Sequence, residues 1–79
     1  MSTVDILREY VSRELLGGRR TPSDAEDLLA SDLIDSIGVM RLVAFLEETF
    51  HFQVSPEDVT IESFQSLDTI AAYVDRNRG

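Results

Sequence analysis

The residues of this chain that could do chemistry are few. His51 is its only histidine, and it lies about four turns from Ser36 along one helical stretch. No Ser–His–acid triad can close across that separation, and no serine sits in a G-x-S-x-G elbow. His51 reads better as a helix-end residue, where its cationic form suits the dipole. The acids Asp24, Glu26, Asp27, Asp32 and Asp35 invite a calcium reading. They lack the alternate-position ligands, central glycine and closing glutamate of an EF-hand loop. A solvated acidic loop accounts for them.

The run Asp35-Ser36-Ile37 holds more. Ser36 falls where a long polar stretch hands over to a helical pattern, and an aspartate precedes it directly. Taken alone, a serine there is an ordinary helix cap. Beside the core stripe of the same helix, however, Ile37, Met40 and Ala44 form a second apolar row at helical spacing, rotated toward solvent. Such a row means either a buried central helix or a partner-binding face, which a flexible methionine suits.

The elements that must position these residues are helices. Val4, Leu7, Val11 and Leu15, widened by Ile6 and Tyr10, keep helical spacing, and Gly17-Gly18 ends the first helix. A long crossover follows, with turns at Thr21-Pro22-Ser23-Asp24 and Ser31-Asp32. Leu28, Leu29, Leu33 and Ile34 pin it, and a helical turn is expected near Ala25 to Leu29. The second helix runs from about Ser36 to His51, with Val39, Leu42, Val43, Leu46 and Phe50 facing the core. Ser55-Pro56-Glu57-Asp58 predicts the cap and first turn of a short third helix. Ser66 caps a last helix with Leu67, Ile70, Ala71 and Val74 inward, fraying from Arg76 to Gly79. The expected fold is an all-α, four-helix bundle with three main helices, a short third one, and a long loop between the first two. Residues 1–79 read as a single domain.

Composition narrows the function classes. Fifteen acidic residues against seven basic ones give a net charge of −8. That balance disfavours nucleic acid, where phosphate neutralisation supplies most of the affinity, and equally an anionic membrane surface. A compact acidic protein stays apart from its own copies and is steered toward basic patches. The reading is a monomeric, soluble, cytoplasmic domain. With no cysteine there is no disulfide and no thiolate metal site.

The run from Asp32 to Met40 (Asp-Leu-Ile-Asp-Ser-Ile-Gly-Val-Met) resembles the acyl and peptidyl carrier protein signature, whose core is Asp-Ser-Leu. The likeness continues through Leu42-Val43-Ala44-Phe45-Leu46-Glu47-Glu48-Thr49-Phe50 and Val54-Ser55-Pro56-Glu57-Asp58. The resemblance implies a free-standing, non-catalytic carrier. Ser36 would accept 4′-phosphopantetheine from coenzyme A, and Asp35 would assist by orienting the site and helping to bind the transferase's magnesium. The arm would hold acyl or aminoacyl groups as thioesters. Implied partners are a phosphopantetheinyl transferase, a loading enzyme and a downstream synthase or transferase, met through Ile37, Met40, Arg41 and Ala44. Gly38 and Arg41 stand where many fatty-acid carriers have acids, which points to a specialised polyketide, peptide or modified-amino-acid pathway. A helical interaction module of similar fold, with Ser36 only a cap, is the competing reading.

Overall fold

The first helical stripe forms as its spacing predicts. α1 spans Thr3–Tyr10, opened by a reciprocal box in which Ser2 Oγ accepts from the Asp5 amide and Asp5 Oδ2 accepts from the Ser2 amide. It continues as a π-helical turn over Val11–Leu15, in which the Leu16 amide reaches the Val11 carbonyl at 2.9 Å. Gly17 and Gly18 then reverse the chain at φ +65° and +76°, a region where a β-carbon is disfavoured. The computed structural model describes residues 2–30 and 33–78, and these contain four α-helices and no strand. The turn expected at Ser31-Asp32 lies outside the described residues, as does Asp32 of the acidic group.

The crossover is ordered by hydrogen bonds and burial rather than by a helical turn. Asp27 Oδ1 accepts from the amides of Leu29 and Ala30, and a side chain that binds its own downstream amides competes with helix formation. Residues 25–29 form turns and irregular backbone, not the expected helical turn. Leu28 is fully buried and its amide donates to the Gln65 carbonyl at 2.6 Å. The Asp68 amide donates to the Asp24 carbonyl at 3.0 Å. Arg8 draws the same region onto α1, holding Asp24 Oδ1 at 2.6 Å and Asp5 Oδ1 at 2.7 Å. Arg8 is the first cause holding the Asp5 carboxyl below its usual range.

α2 spans Ser36–Phe50 and buries Leu42, Leu46 and Phe50, with Val39 and Val43 half-buried at its flanks. His51 ends it in the left-handed conformation, φ +57°, its amide donating to the Glu47 carbonyl. The helix-end reading of His51 holds. The third helix begins later than its sequence suggests. Pro56–Asp58 is a single 3₁₀ turn with no side-chain cap from Ser55, and the backbone leaves the helical region at Val59. α3 spans Ile61–Phe64, capped by Thr60 Oγ1, which accepts from the Ser63 amide. Asp58 lies in the 3₁₀ turn, and its carboxylate accepts from Tyr73 Oη at 2.9 Å.

α4 spans Leu67–Asn77 behind a Ser66–Thr69 capping box. It stays helical through Asn77, past the point where fraying is expected to begin, and leaves the helix at Arg78; Gly79 lies outside the described residues. Asn77 Nδ2 donates to the Tyr73 carbonyl, the Arg78 amide closes on Val74, and the Arg78 guanidinium lies 5.2 Å from the Phe50 ring centre. Leu7 of α1 and Val11 of the π-helical turn share one core with Ile70 and Val74 of α4 and with Leu28, Ile34, Leu42, Leu46 and Phe64.

Tyr73, only 3% exposed, joins that core through a polar group. Burial, aided by the neighbouring Asp58 carboxylate, pushes its phenol above the usual value of 10.0. A raised folded-state pKa means its contribution is complete below about pH 10 and is lost as pH rises through the folded value. Tyr73→Phe is expected to cost about 1–2 kcal/mol at pH 7, the worth of a part-buried bond to a carboxylate. Urea titrations from pH 7 to 11 should show the gap between wild type and variant closing at the alkaline end. A constant gap would mean the phenol hydrogen bond contributes nothing.

Candidate functional site

Asp35, not Ser36, caps α2. Its backbone is extended and its Oδ1 accepts from the Gly38 amide at 2.8 Å. Its carbonyl accepts from the Val39 amide at 3.0 Å. Ser36 is the first residue inside the helix and is exposed. Its hydroxyl makes no hydrogen bond among the described residues, so the reading of Ser36 as a plain cap is corrected. Of the amides that an α-helix leaves open at its start, that of Gly38 is satisfied by the Asp35 side chain, while Val39 makes the first intrahelical bond, to the Asp35 carbonyl. Those of Ser36 and Ile37 have no partner among the described residues.

Gly38 explains how the loop is held against this helix start. It is buried, and a β-carbon built there would lie 2.7 Å from Ile34 Cγ2. Ile34 is itself a core residue whose amide donates to the Leu28 carbonyl at 3.2 Å. Glycine thus allows the close approach of loop and helix that seats Asp35 as the cap. Position 38 faces inward and is not a place on the surface where an acid has been lost.

The second apolar row emerges as its spacing suggested. Ile37 is 68% exposed and Met40 71%, and Ala44 is exposed one turn further on. Arg41 is engaged more closely than its sequence indicates. Its Nη1 donates to the Glu14 carbonyl at 3.3 Å, its Nη2 lies 3.8 Å from Glu14 Oε1, and Tyr10 Oη donates to its carbonyl. A cation satisfying a carbonyl at the end of a helical segment complements the dipole there. Arg41 is in this way tied to the end of the first helical segment. Sequence reasoning missed two further exposed apolar residues, Val59 and Ile61 (68% exposed). Their signal was masked by placing the third helix too early.

Each described member of the acidic group is accounted for locally. Asp24 pairs with Arg8, Glu26 with Arg20 at 2.6 Å, Asp27 holds its own turn, and Asp35 caps α2. Among the described residues no three acids or histidines converge on a metal position, and no helix is long and apolar enough to cross a membrane.

An exposed hydroxyl beside two open amides at the positive end of a fifteen-residue helix suits a covalently held phosphate. The Asp35 carboxylate is turned onto Gly38. The residues present fit such a group. A small α-bundle that presents such a hydroxyl at the start of its second helix, after a long pinned loop, has the build of a carrier domain. Residues 5–74 match the phosphopantetheine attachment site family, and the chain belongs to it. It is a phosphopantetheine carrier of the acyl and peptidyl carrier type. The group it carries is 4′-phosphopantetheine, covalently attached. Domains of this family are typically non-catalytic and interact with modifying and biosynthetic enzymes. Comparison with curated proteins gave no significant match to this chain.

Proposed function

We propose that Ser36 is the attachment residue of a non-catalytic carrier that presents acyl or aminoacyl groups to biosynthetic enzymes. The observation that carries this reading is the exposed, unbonded Ser36 hydroxyl inside the first turn, with Asp35 already serving as the cap. Ser36 Oγ attacks the coenzyme A phosphorus that bears the pantetheine. The bond from that phosphorus to the nucleotide's phosphate breaks, adenosine 3′,5′-bisphosphate leaves, and the hydroxyl proton passes to a base of the transferase. Asp35 assists by fixing the helix start, while the amides of Ser36 and Ile37 stabilise the phosphodiester that forms. Once in place, the arm supplies a thiol that holds its cargo as a thioester. Incubation with coenzyme A, magnesium and a broad-specificity phosphopantetheinyl transferase should add one arm by intact mass, and peptide fragmentation should map it to Ser36. An unmodified chain, or an arm elsewhere, overturns the reading.

Ile37, Met40, Ala44 and Arg41 form the face offered to partners in this reading. The exposure of Ile37 and Met40 supports it, because side chains so open to solvent contribute little to the core. Ile37→Ala is expected to cost well under the ~2–5 kcal/mol of a buried truncation and to slow arm transfer or downstream acyl transfer. A large fall in melting temperature with unchanged transfer kinetics would make Ile37 a core residue instead.

A further inference from the structure

Against Asp35 and Ile37, the residues either side of Ser36, the surface dips into a concavity of about 280 Å³ between the start of α2 and the end of the π-helical turn. Leu15, Leu33, Ile34 and Ile37 supply apolar walls, and Asp35 and Arg41 supply polar atoms. A second concavity of about 490 Å³ shares Leu15 and Leu33 with the first and extends to Arg19 and Arg20. Through those two shared leucines the concavities adjoin as a groove that runs from Asp35 and Ile37, the residues either side of Ser36, to Arg19 and Arg20.

Charges of both signs line this groove, with Asp35 at one end and Arg19 at the other. Net charge is −8 with seven basic residues, and three of them, Arg19, Arg20 and Arg41, line the groove. Arg20 is neutralised by Glu26 at 2.6 Å. Arg41 and Glu14, both in the walls, offset one another at 3.8 Å. Arg19 is exposed and forms no ion pair among the described residues. A guanidinium free to donate in parallel suits a carboxylate.

We propose that this groove shelters the loaded end of the carrier's own arm and favours acyl groups that end in a carboxylate, with Arg19 as the receiving cation. The proposal rests on Ser36 as the attachment residue. Mixed walls suit an arm in which amides alternate with methylene segments. A tether also raises the local concentration of its end to the order of millimolar. A contact too weak to hold a free acid in solution is then populated. Acyl groups without a charge have no partner at the far end and should spend less time there.

The test compares two loads of equal carbon number, transferred to Ser36 from succinyl and butyryl coenzyme A and verified by intact mass. Amide spectra of the ¹⁵N-labelled protein are recorded for each load at pH 7. The succinyl form is expected to shift Leu15, Arg19 and Leu33 at least about twofold more than the butyryl form, a difference that fades with salt. Arg19→Gln should bring the two loads together. Equal shifts for both loads, shifts confined to residues 35–37, or indifference to Arg19→Gln would each overturn the groove while leaving Ser36 as the attachment residue. A chain that takes no arm fails at the mass measurement and overturns the attachment reading, and the groove proposal with it.

Discussion

Ser36→Ala is expected to abolish arm attachment completely while leaving the melting curve where it was. The first half follows from the only chemistry that the start of α2 offers: an exposed hydroxyl with no hydrogen-bond partner among the described residues. The second half follows from the cap. Were Ser36 the cap, its loss would cost ~1 kcal/mol. The cap is Asp35, whose Oδ1 holds the Gly38 amide at 2.8 Å. An alanine in the first turn of an exposed helix start should therefore stay within about ±0.5 kcal/mol of wild type. Intact mass after transferase treatment and a thermal melt of the same sample measure both halves. An alanine variant that still gains the arm removes Ser36 from the assignment. A variant that unfolds before it can be loaded would show that the hydroxyl is structural after all.

Leu28→Ala should be the most damaging single truncation in the loop. Leu28 is fully buried and contributes to the same core as Leu42, Leu46 and Ile70. Removing a buried leucine costs about 2–5 kcal/mol, which in a domain this small lowers the melting temperature by roughly 10–30 °C. The effect should also reach the site. The Leu28 carbonyl holds the Ile34 amide, and Ile34 packs against Gly38 where Asp35 caps α2. Below its lowered melting point the variant should accept the arm more slowly, because Ser36 is presented by a less fixed helix start. Leu29→Ala, at a half-buried neighbour, should cost clearly less. A Leu28→Ala melt within a few degrees of wild type would mean that the crossover is a solvated linker and not a part of the core.

Local patterns in the chain were enough to establish the bundle. The 3.6-residue recurrence of Leu7 and Val11, of Leu42, Leu46 and Phe50, and of Leu67, Ile70 and Val74 is a property of neighbours in sequence. The structure buries all of them. The same is true of Gly17-Gly18 as a helix stop, of Ser66 as a cap and of Ile37 and Met40 as an outward row, since each depends on positions within a turn or two. Where distant groups compete for the same residue, the pattern gave out. Asp58 has the sequence position of a first-turn acid, but Tyr73, fifteen residues away, takes its carboxylate, and the third helix starts later. Gly38 looks like a missing surface acid until Ile34 from the loop is found lying where its side chain would be. Arg41 reads as a sign reversal on the partner face, and only the fold shows that its guanidinium meets Glu14 of the first helical segment. Ser36 by itself reads as an ordinary cap and is singled out by the family resemblance, but only the folded chain shows that its neighbour caps the helix and leaves the hydroxyl unbonded. Periodicity records which face of an element is apolar. Which partner a polar side chain chooses is decided by the free energy of contacts between segments far apart in sequence, and these exist only once the helices have packed.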